Sequence, residues 1–264
     1  MLHSSPSTIS EIWMKAPLYI TGTDSNVGKT VLTVLLTRVL RDLALQPIPL
    51  KPVSTGDRAD ARQLALAAGC RTSLDGLNPY HFRSPLAPSL AARQEGRPLH
   101  RAAVSAFLRK RIQDSRGRPV LIEGAGGLLT PLGEDFSARE LIADLRAIPI
   151  IVAVNKLGAI NQVRLVVTAL PQTAVRRAFV VLVSTASPDL ASRTNIALLA
   201  EFFPADRIHP LPRLRSNSGP AHVSLSADFR ARLLRLLAAA GIISDLGVRP
   251  VALPDGPRNR IPNT

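Results

Sequence analysis

The sequence predicts an α/β fold, a single domain built on a mostly parallel central sheet with helices on both faces. Three observations predict it. Short strands are apolar along their whole length, as in residues 118–123 (RPVLIE), 149–154 (PIIVAV) and 178–183 (AFVVLV), which is how strands covered on both faces read. Amphipathic stretches of helical period separate them. Three unusual segments, 22–30, 51–56 and 123–127, each follow the end of a strand, where open parallel sheets bind their ligands.

The elements follow in order. Residues 1–16 form a polar N-terminal extension. Residues 17–21 (PLYIT) are β-prone and predict the first strand. Val31, Leu35, Val39 and Leu43 recur at helical spacing and predict a helix over 27–45. Residues 47–50 (PIPL) predict a second strand ending at Lys51. A helix over 60–68 stops at Gly69. The Pro- and Ser-rich stretch 78–98 predicts a long working loop. Helices are expected over 101–115, 138–146, 161–170, 190–202 and 227–240, and a short strand over 208–211. Residues 241–264 form a Pro-rich tail, so the domain spans 17–240.

Composition narrows the function. The chain has 264 residues, 46% hydrophobic and 20% charged, which excludes a disordered chain. Its formal net charge of +14 comes from 28 Arg and only 5 Lys. The Arg are scattered and aromatics are only 4%, so neither a basic stripe nor a stacking platform points to nucleic acid. The densest basic run, Arg109-Lys110-Arg111, reads as the solvated face of a helix. No apolar run reaches the roughly 18 residues of a membrane helix. The first residues lack a signal peptide's apolar core, so a cytoplasmic protein without membrane partners is expected. The lone Cys70 excludes an internal disulfide and a multi-Cys metal cluster; it reads as a small, partly buried residue after a helix. His81, His100 and His209 are isolated and read as surface or loop residues. No G-x-S-x-G nucleophile elbow occurs.

The chemistry lies in the strand ends. Gly22-Thr23-Asp24-Ser25-Asn26-Val27-Gly28-Lys29-Thr30 joins a strand to a helix. Backbone N–H groups of such a loop cradle phosphates, Lys29 reaches the β- and γ-phosphates, and the Thr30 hydroxyl binds Mg²⁺. The domain is therefore read as P-loop NTPase-like, although five residues rather than four separate Gly22 from Gly28. Lys51 ends the next strand. It stands either beside Lys29 over the same anion or as an ordinary surface lysine. Glu123 ends a buried strand before Gly124-Ala125-Gly126-Gly127, in the place of a metal-organising acid; the glycines would let backbone approach a ligand. Asp60 is either a second Mg²⁺ ligand or a helix N-cap.

In combination these motifs resemble the dethiobiotin synthetase family. The resemblance rests on Thr21-Gly22-Thr23-Asp24 with Val27-Gly28-Lys29-Thr30, Lys51-Pro52-Val53, Asn78-Pro79-Tyr80 and Gln94-Glu95-Gly96-Arg97-Pro98. It continues through Glu123-Gly124-Ala125-Gly126-Gly127, Thr130-Pro131-Leu132, and Lys156-Leu157-Gly158 with Ile160-Asn161. It covers residues from about 17 to about 220. What the resemblance implies is an ATP- and Mg²⁺-dependent ring closure of 7,8-diaminononanoate with CO₂, through a carbamate and a carbamic–phosphoric anhydride, in biotin biosynthesis. Lys51 and Lys29 would be catalytic. Asn26, Val27, Gly28, Lys29, Thr30, Val31, Asp60, Glu123, Gly124, Ala125 and Gly126 would hold the nucleotide. Ser184, Thr185, Pro212, Arg213 and Leu214 would surround its base. Thr30, Asp60 and Glu123 would hold Mg²⁺. Ser25 and Thr55 would touch the substrate, with Gly158 and Asn161 of the other subunit of a homodimer receiving its carboxylate. The chain departs from the family at Asn26, where some members carry an acid, and at Ser184-Thr185, where members often carry Asn-Asp.

Other functions on the same fold are disfavoured. A cobyrinate-type amidotransferase carries a further glutaminase domain. A partitioning or regulatory ATPase usually carries an additional Lys early in the phosphate loop, and residues 22–27 contain none. A degenerate nucleotide binder is suggested only by Ser184-Thr185. Asn155-Lys156-Leu157-Gly158 resembles a guanine-reading motif, but Gly158 replaces its Asp.

Overall fold

A computed structural model describes residues 16–69, 73–214 and 219–244. Six parallel strands make the main sheet in the order β2-β5-β1-β6-β7-β8: β1 (Leu18–Gly22), β2 (Ile48–Leu50), β5 (Val120–Glu123), β6 (Ile148–Asn155), β7 (Phe179–Ser184) and β8 (Ile208–Leu211). The short strands β3 (Val53–Thr55) and β4 (Tyr80–Phe82) pair separately, also in parallel.

Each face of the sheet buries its own apolar cluster. On one face α1 (Lys29–Asp42) and α10 (Ala227–Ala239) bring Leu32, Leu35, Leu36, Phe229, Leu233 and Leu236 onto Ile20, Ile150 and Val181. On the other, α5 (Arg101–Gln113), α6 (Ala138–Leu145) and α7 (Ala159–Ala169) pack with Tyr19, Ile122, Ile151 and Val180. Successive residues of β1 and β6 therefore face opposite layers, as the pleat requires. At the sheet edge α2 (Ala59–Ala68) and α3 (Leu74–Leu77) close a third cluster around Val34, Ala61, Leu64 and Leu77. Toward the other edge lie α8 (Gln172–Val175) and α9 (Leu190–Leu199). No described helix is long and apolar enough to cross a membrane.

The six strands of the main sheet and the main helices fall where periodicity put them, to within a few residues. The first helix ends at Asp42 rather than residue 45. Ala44 and Gln46 take left-handed backbone, at φ 59° and 47°, and turn the chain into β2. Gly69 ends α2 in the left-handed conformation, at φ 66°, which its missing Cβ allows. The stretch 78–98 is not a loop throughout: it contains β4 and α4 (Pro88–Gln94). Pro88 reads as a loop signal, but at the first turn of a helix its missing N–H costs nothing. Cys70, the first 15 residues and most of the tail lie outside the described residues.

Candidate active site

Three strand ends converge at the carboxyl edge of the sheet. β1 runs into the phosphate loop. Glu123, at the end of β5, pairs in register with Ile20, and Gly124 N–H donates to the Ile20 carbonyl at 2.9 Å. Lys51 follows β2, the other neighbour of β5. Together they border a cavity of about 480 Å³, lined among others by Ser25, Asn26, Gly28, Thr30, Val31, Thr55, Ala125 and Gly126.

The loop is shaped for an anion. Asn26 takes left-handed backbone at φ 57°, a conformation Asn tolerates better than most side chains. Gly28 does so at φ 105° and begins α1, which has no side-chain cap and no acidic residue in its first turn. Its first N–H groups stay free for a ligand. By contrast, α6 is closed by a capping box of Ser137 and Glu140, and α10 by Ser226. Val27 is buried below the loop. The glycines of 124–127 serve the chain's own packing more than a ligand's approach. A Cβ on Gly124 would lie 3.2 Å from the Tyr19 ring, and one on Gly126 would overlap Thr130.

Five charged residues share the cavity wall: Lys29, Lys51, Asp57, Asp60 and Glu123. Lys51 Nζ donates to Glu123 Oε1 at 2.5 Å and to Asp60 Oδ2 at 2.9 Å, and reaches the Gly124 carbonyl at 3.4 Å. Thr30 Oγ1 donates to the same Glu123 oxygen at 2.7 Å. Lys51 is thus no surface lysine: its side chain is 5% exposed and Glu123's is 0%. Asp60, half exposed, is the second helical residue of α2 and not its N-cap; Asp57 Oδ1 instead accepts from Ala59 N–H at 3.0 Å. Burial opposes the charge on Lys51, but Glu123 and Asp60 outweigh it and hold the ammonium above its ordinary range. Lys29 goes the other way. Burial, then repulsion by Lys51, pulls it down to about 8 against partial compensation from Glu123 and Asp60. Its Nζ donates to the Asp24 carbonyl of its own loop at 2.7 Å.

Thr30, Asp60 and Glu123 offer oxygen donors to a hard cation. Glu123 Oε2 is buried without a hydrogen-bond partner, an acceptor left over for one. Among the described residues no three His, Cys, Asp or Glu side chains enclose a metal. A cation here would complete its shell with phosphate oxygens and water, as Mg²⁺ does.

A second cavity, about 420 Å³, lies past the end of β7, lined by Ser184, Thr185, Ala186, Pro188, Pro212, Arg213 and Arg232 among others. Gly28 of the phosphate loop lies beside the end of β7, where a Cβ on it would sit 3.8 Å from Val183. Leu214 is not in the lining of this second cavity; it packs with the apolar layer of α1 and α10. Gly158 and Asn161, at the start of α7, are exposed and line neither cavity of their own chain. Gly158 is a left-handed N-cap with no side-chain cap. His209 is neither surface nor loop. It lies on β8 with its ring 5.8 Å from that of Phe179. Sequence reasoning missed Asp57 and Ser54 in the first cavity and Arg232 in the second. None carries a local signal, because each reaches its cavity by tertiary packing.

Fold and site define a P-loop nucleotide-binding protein of the α/β class. Residues 16–221 match a family model described as an AAA domain. The chain is 39% identical over 180 residues to the ATP-dependent dethiobiotin synthetase BioD of Anaeromyxobacter sp. (strain K), covering 65% of this chain and 78% of that protein. It is 34% identical over 187 residues to the Akkermansia muciniphila protein of the same name, covering 69% of this chain and 85% of that one. A Corynebacterium glutamicum (strain R) counterpart is 36% identical over 185 residues, covering 68% and 80%. Among solved structures, the MinC:MinD cell division protein complex of Aquifex aeolicus superposes with a TM-score of 0.52 at 12% identity, covering 90% of this chain and 98% of that one. That likeness concerns the fold alone. The chain belongs to the ATP-dependent dethiobiotin synthetase family.

Proposed function

We propose that the protein uses ATP to close 7,8-diaminononanoate and CO₂ into the cyclic urea of dethiobiotin, as a cytoplasmic homodimer. Family membership supports the reaction. The observation that carries the site assignment is the Lys51 ammonium, held between Glu123 and Asp60 on the wall that also carries Lys29 and the uncapped start of α1.

One amine of the substrate adds to CO₂ and loses a proton, giving a carbamate. A carbamate oxygen attacks the γ-phosphorus, the bond to the β-phosphate oxygen breaks, and ADP leaves. The second amine attacks the carbamoyl carbon, losing its proton as phosphate departs and the ring closes. Two anions must therefore meet, and the site's first task is to offset their repulsion. The α1 N-terminus and Lys29 hold the phosphates. Lys51 stands where charge accumulates on the transferred group, and Glu123 and Asp60 keep it protonated and aimed. Mg²⁺, held by Thr30, Asp60 and Glu123, would supply charge neutralisation at the phosphate oxygens. Thr55 and Ser25, on the same cavity wall, would orient the diamine. Positioning the reactants in line supplies much of the remaining acceleration.

The second cavity would take the nucleotide base, with Ser184, Thr185, Pro212 and Arg213 around it. The carboxylate end of the substrate would meet Gly158 and Asn161 of a second copy. Leu157, just ahead of that helix, and Leu165, further along it, are large apolar side chains 79% and 62% exposed, and are the surface such a copy would cover.

The test is direct. Purified protein with diaminononanoate, bicarbonate, Mg²⁺ and ATP should release phosphate and form dethiobiotin, identified by its mass. Phosphate release no higher than in the diamine-free control refutes the reading.

A further inference from the structure

The Asn78-Pro79-Tyr80 segment touches no ligand cavity, yet Asn78 is fully buried and makes a polar contact with every piece of chain that carries the Lys51–Asp60 pair. Its Nδ2 donates to the Lys51 carbonyl at 2.7 Å. Its Oδ1 accepts from Ser54 Oγ at 2.9 Å and from Arg58 Nε at 3.0 Å. Its own carbonyl accepts from Arg58 Nη2 at 2.7 Å. The amide can sit only one way round, because a carbonyl only accepts and a guanidinium only donates. Around it, Lys51 N–H donates to the Leu77 carbonyl at 3.0 Å, and Tyr80 N–H to the Pro52 carbonyl at 3.1 Å. Arg58 immediately precedes α2, which presents Asp60, and its outer end is pinned to Asp75 at 2.8 Å.

We propose that Asn78 is a positioning residue for the reaction, fixing the backbone of Lys51 against the start of α2 so that the Lys51 ammonium and the Asp60 carboxylate keep one geometry. The inference rests on the reading of Lys51 as the catalytic lysine. Its physical basis is the sheet topology. Lys51 lies between the main sheet and the small one, where the ladder of β2 has ended and that of β3 is about to begin. No strand neighbour holds its carbonyl, and Asn78 does. A reacting group allowed to shift by about an ångström loses catalysis steeply, on the order of a hundredfold, while the phosphate loop, built on β1 and α1, is untouched.

Asn78→Ala should lower kcat about tenfold or more per nucleotide-binding site, counted by titration with a fluorescent ADP analogue. The dissociation constant of that analogue, measured without metal, should stay within about threefold of wild type, since the loss is one of positioning. A merely structural role would lower the number of binding sites and leave turnover per site intact, and that result overturns the proposal. Should Asn78→Ala fail to fold, Arg58→Ala decides. Turnover per site must fall by about fivefold or more with nucleotide affinity kept, and turnover within twofold of wild type overturns the proposal. Lys51→Ala, run alongside, separates the two claims. If its turnover is near normal the reading of Lys51 fails, whereas if it alone collapses while both positioning variants stay normal, only the role of Asn78 fails.

Discussion

The cavity at the phosphate loop and the one past the end of β7 are built in opposite ways. Around the proposed phosphate site, the groups are charged, mostly buried and multiply bonded: Lys51 has two carboxylate partners, and Glu123 serves both Lys51 and Thr30. Around the proposed base site, the walls are hydroxyls, prolines and two arginines, and Pro212 and Arg213 are exposed. Serine and threonine hydroxyls rotate and can donate or accept, so they impose no fixed pattern on a base edge. On the proposed function, the demand for accuracy falls where bonds change. Charge that develops in a reaction must find its partners already in place, whereas a base need only be held.

The largest way to break this contrast is Lys51→Ala. Turnover should fall by about 10²–10³-fold, with nucleotide still bound to the loop, as a fluorescent ADP analogue will report. Lys51→Arg should rescue little, because a planar fork cannot fill the place of a point charge between two carboxylates.

Exchanging the nucleotide sharpens it from the other side. With GTP or CTP in place of ATP, kcat/KM should change by about tenfold or less, since the Ser184 and Thr185 hydroxyls can turn to suit either base edge. A loss of about a thousandfold would show that the base cavity is as exacting as the phosphate side.

Lys29 predicts a smaller effect with a definite sign. Its group sits at about 8 in the free protein, and bound phosphates favour the charged form. Binding of ADP at pH 8.5 should therefore take up a fraction of a proton, and binding at pH 7, where Lys29 is already mostly charged, should take up much less. Calorimetry in two buffers of different ionisation enthalpy measures this directly.

On β8, one residue before the wall of the second cavity, His209 is pushed down to about 4 by burial and by Arg235, against Asp206. The unfolded chain binds its proton near 6.5, so the unfolded state holds more protons between those values and stability falls as pH drops through that window. The loss is at most about 3 kcal/mol. His209→Gln should flatten the difference in melting temperature between pH 7 and pH 5 without changing turnover, because the residue serves packing and not the reaction.

Much of this was legible in the chain, and unevenly so. The phosphate loop could be read because strand, glycine-bearing loop and helix are contiguous. Glu123 could be read from a buried strand that ends on an acid. Lys51 could be placed at a strand end but not distinguished from a surface lysine, since that depended on which strand β2 adjoins. Asp60 stood equally for cap and ligand until α2 was found to begin at Ala59 and to turn the carboxylate toward Lys51. The small sheet of β3 and β4 was hidden in stretches dense with Pro and Ser, where three-residue strands leave too few side chains for a period to show.

What the sequence alone determined is therefore local: the alternation of elements, the anion-binding turn and the identity of the charged groups. The tertiary structure alone decided which charges meet. Lys51 reaches Glu123, 72 positions further on, and Asn78 takes hold of Lys51 from 27 positions away. Contacts of that separation follow from strand order and packing, for which a linear pattern of residue types holds no distance.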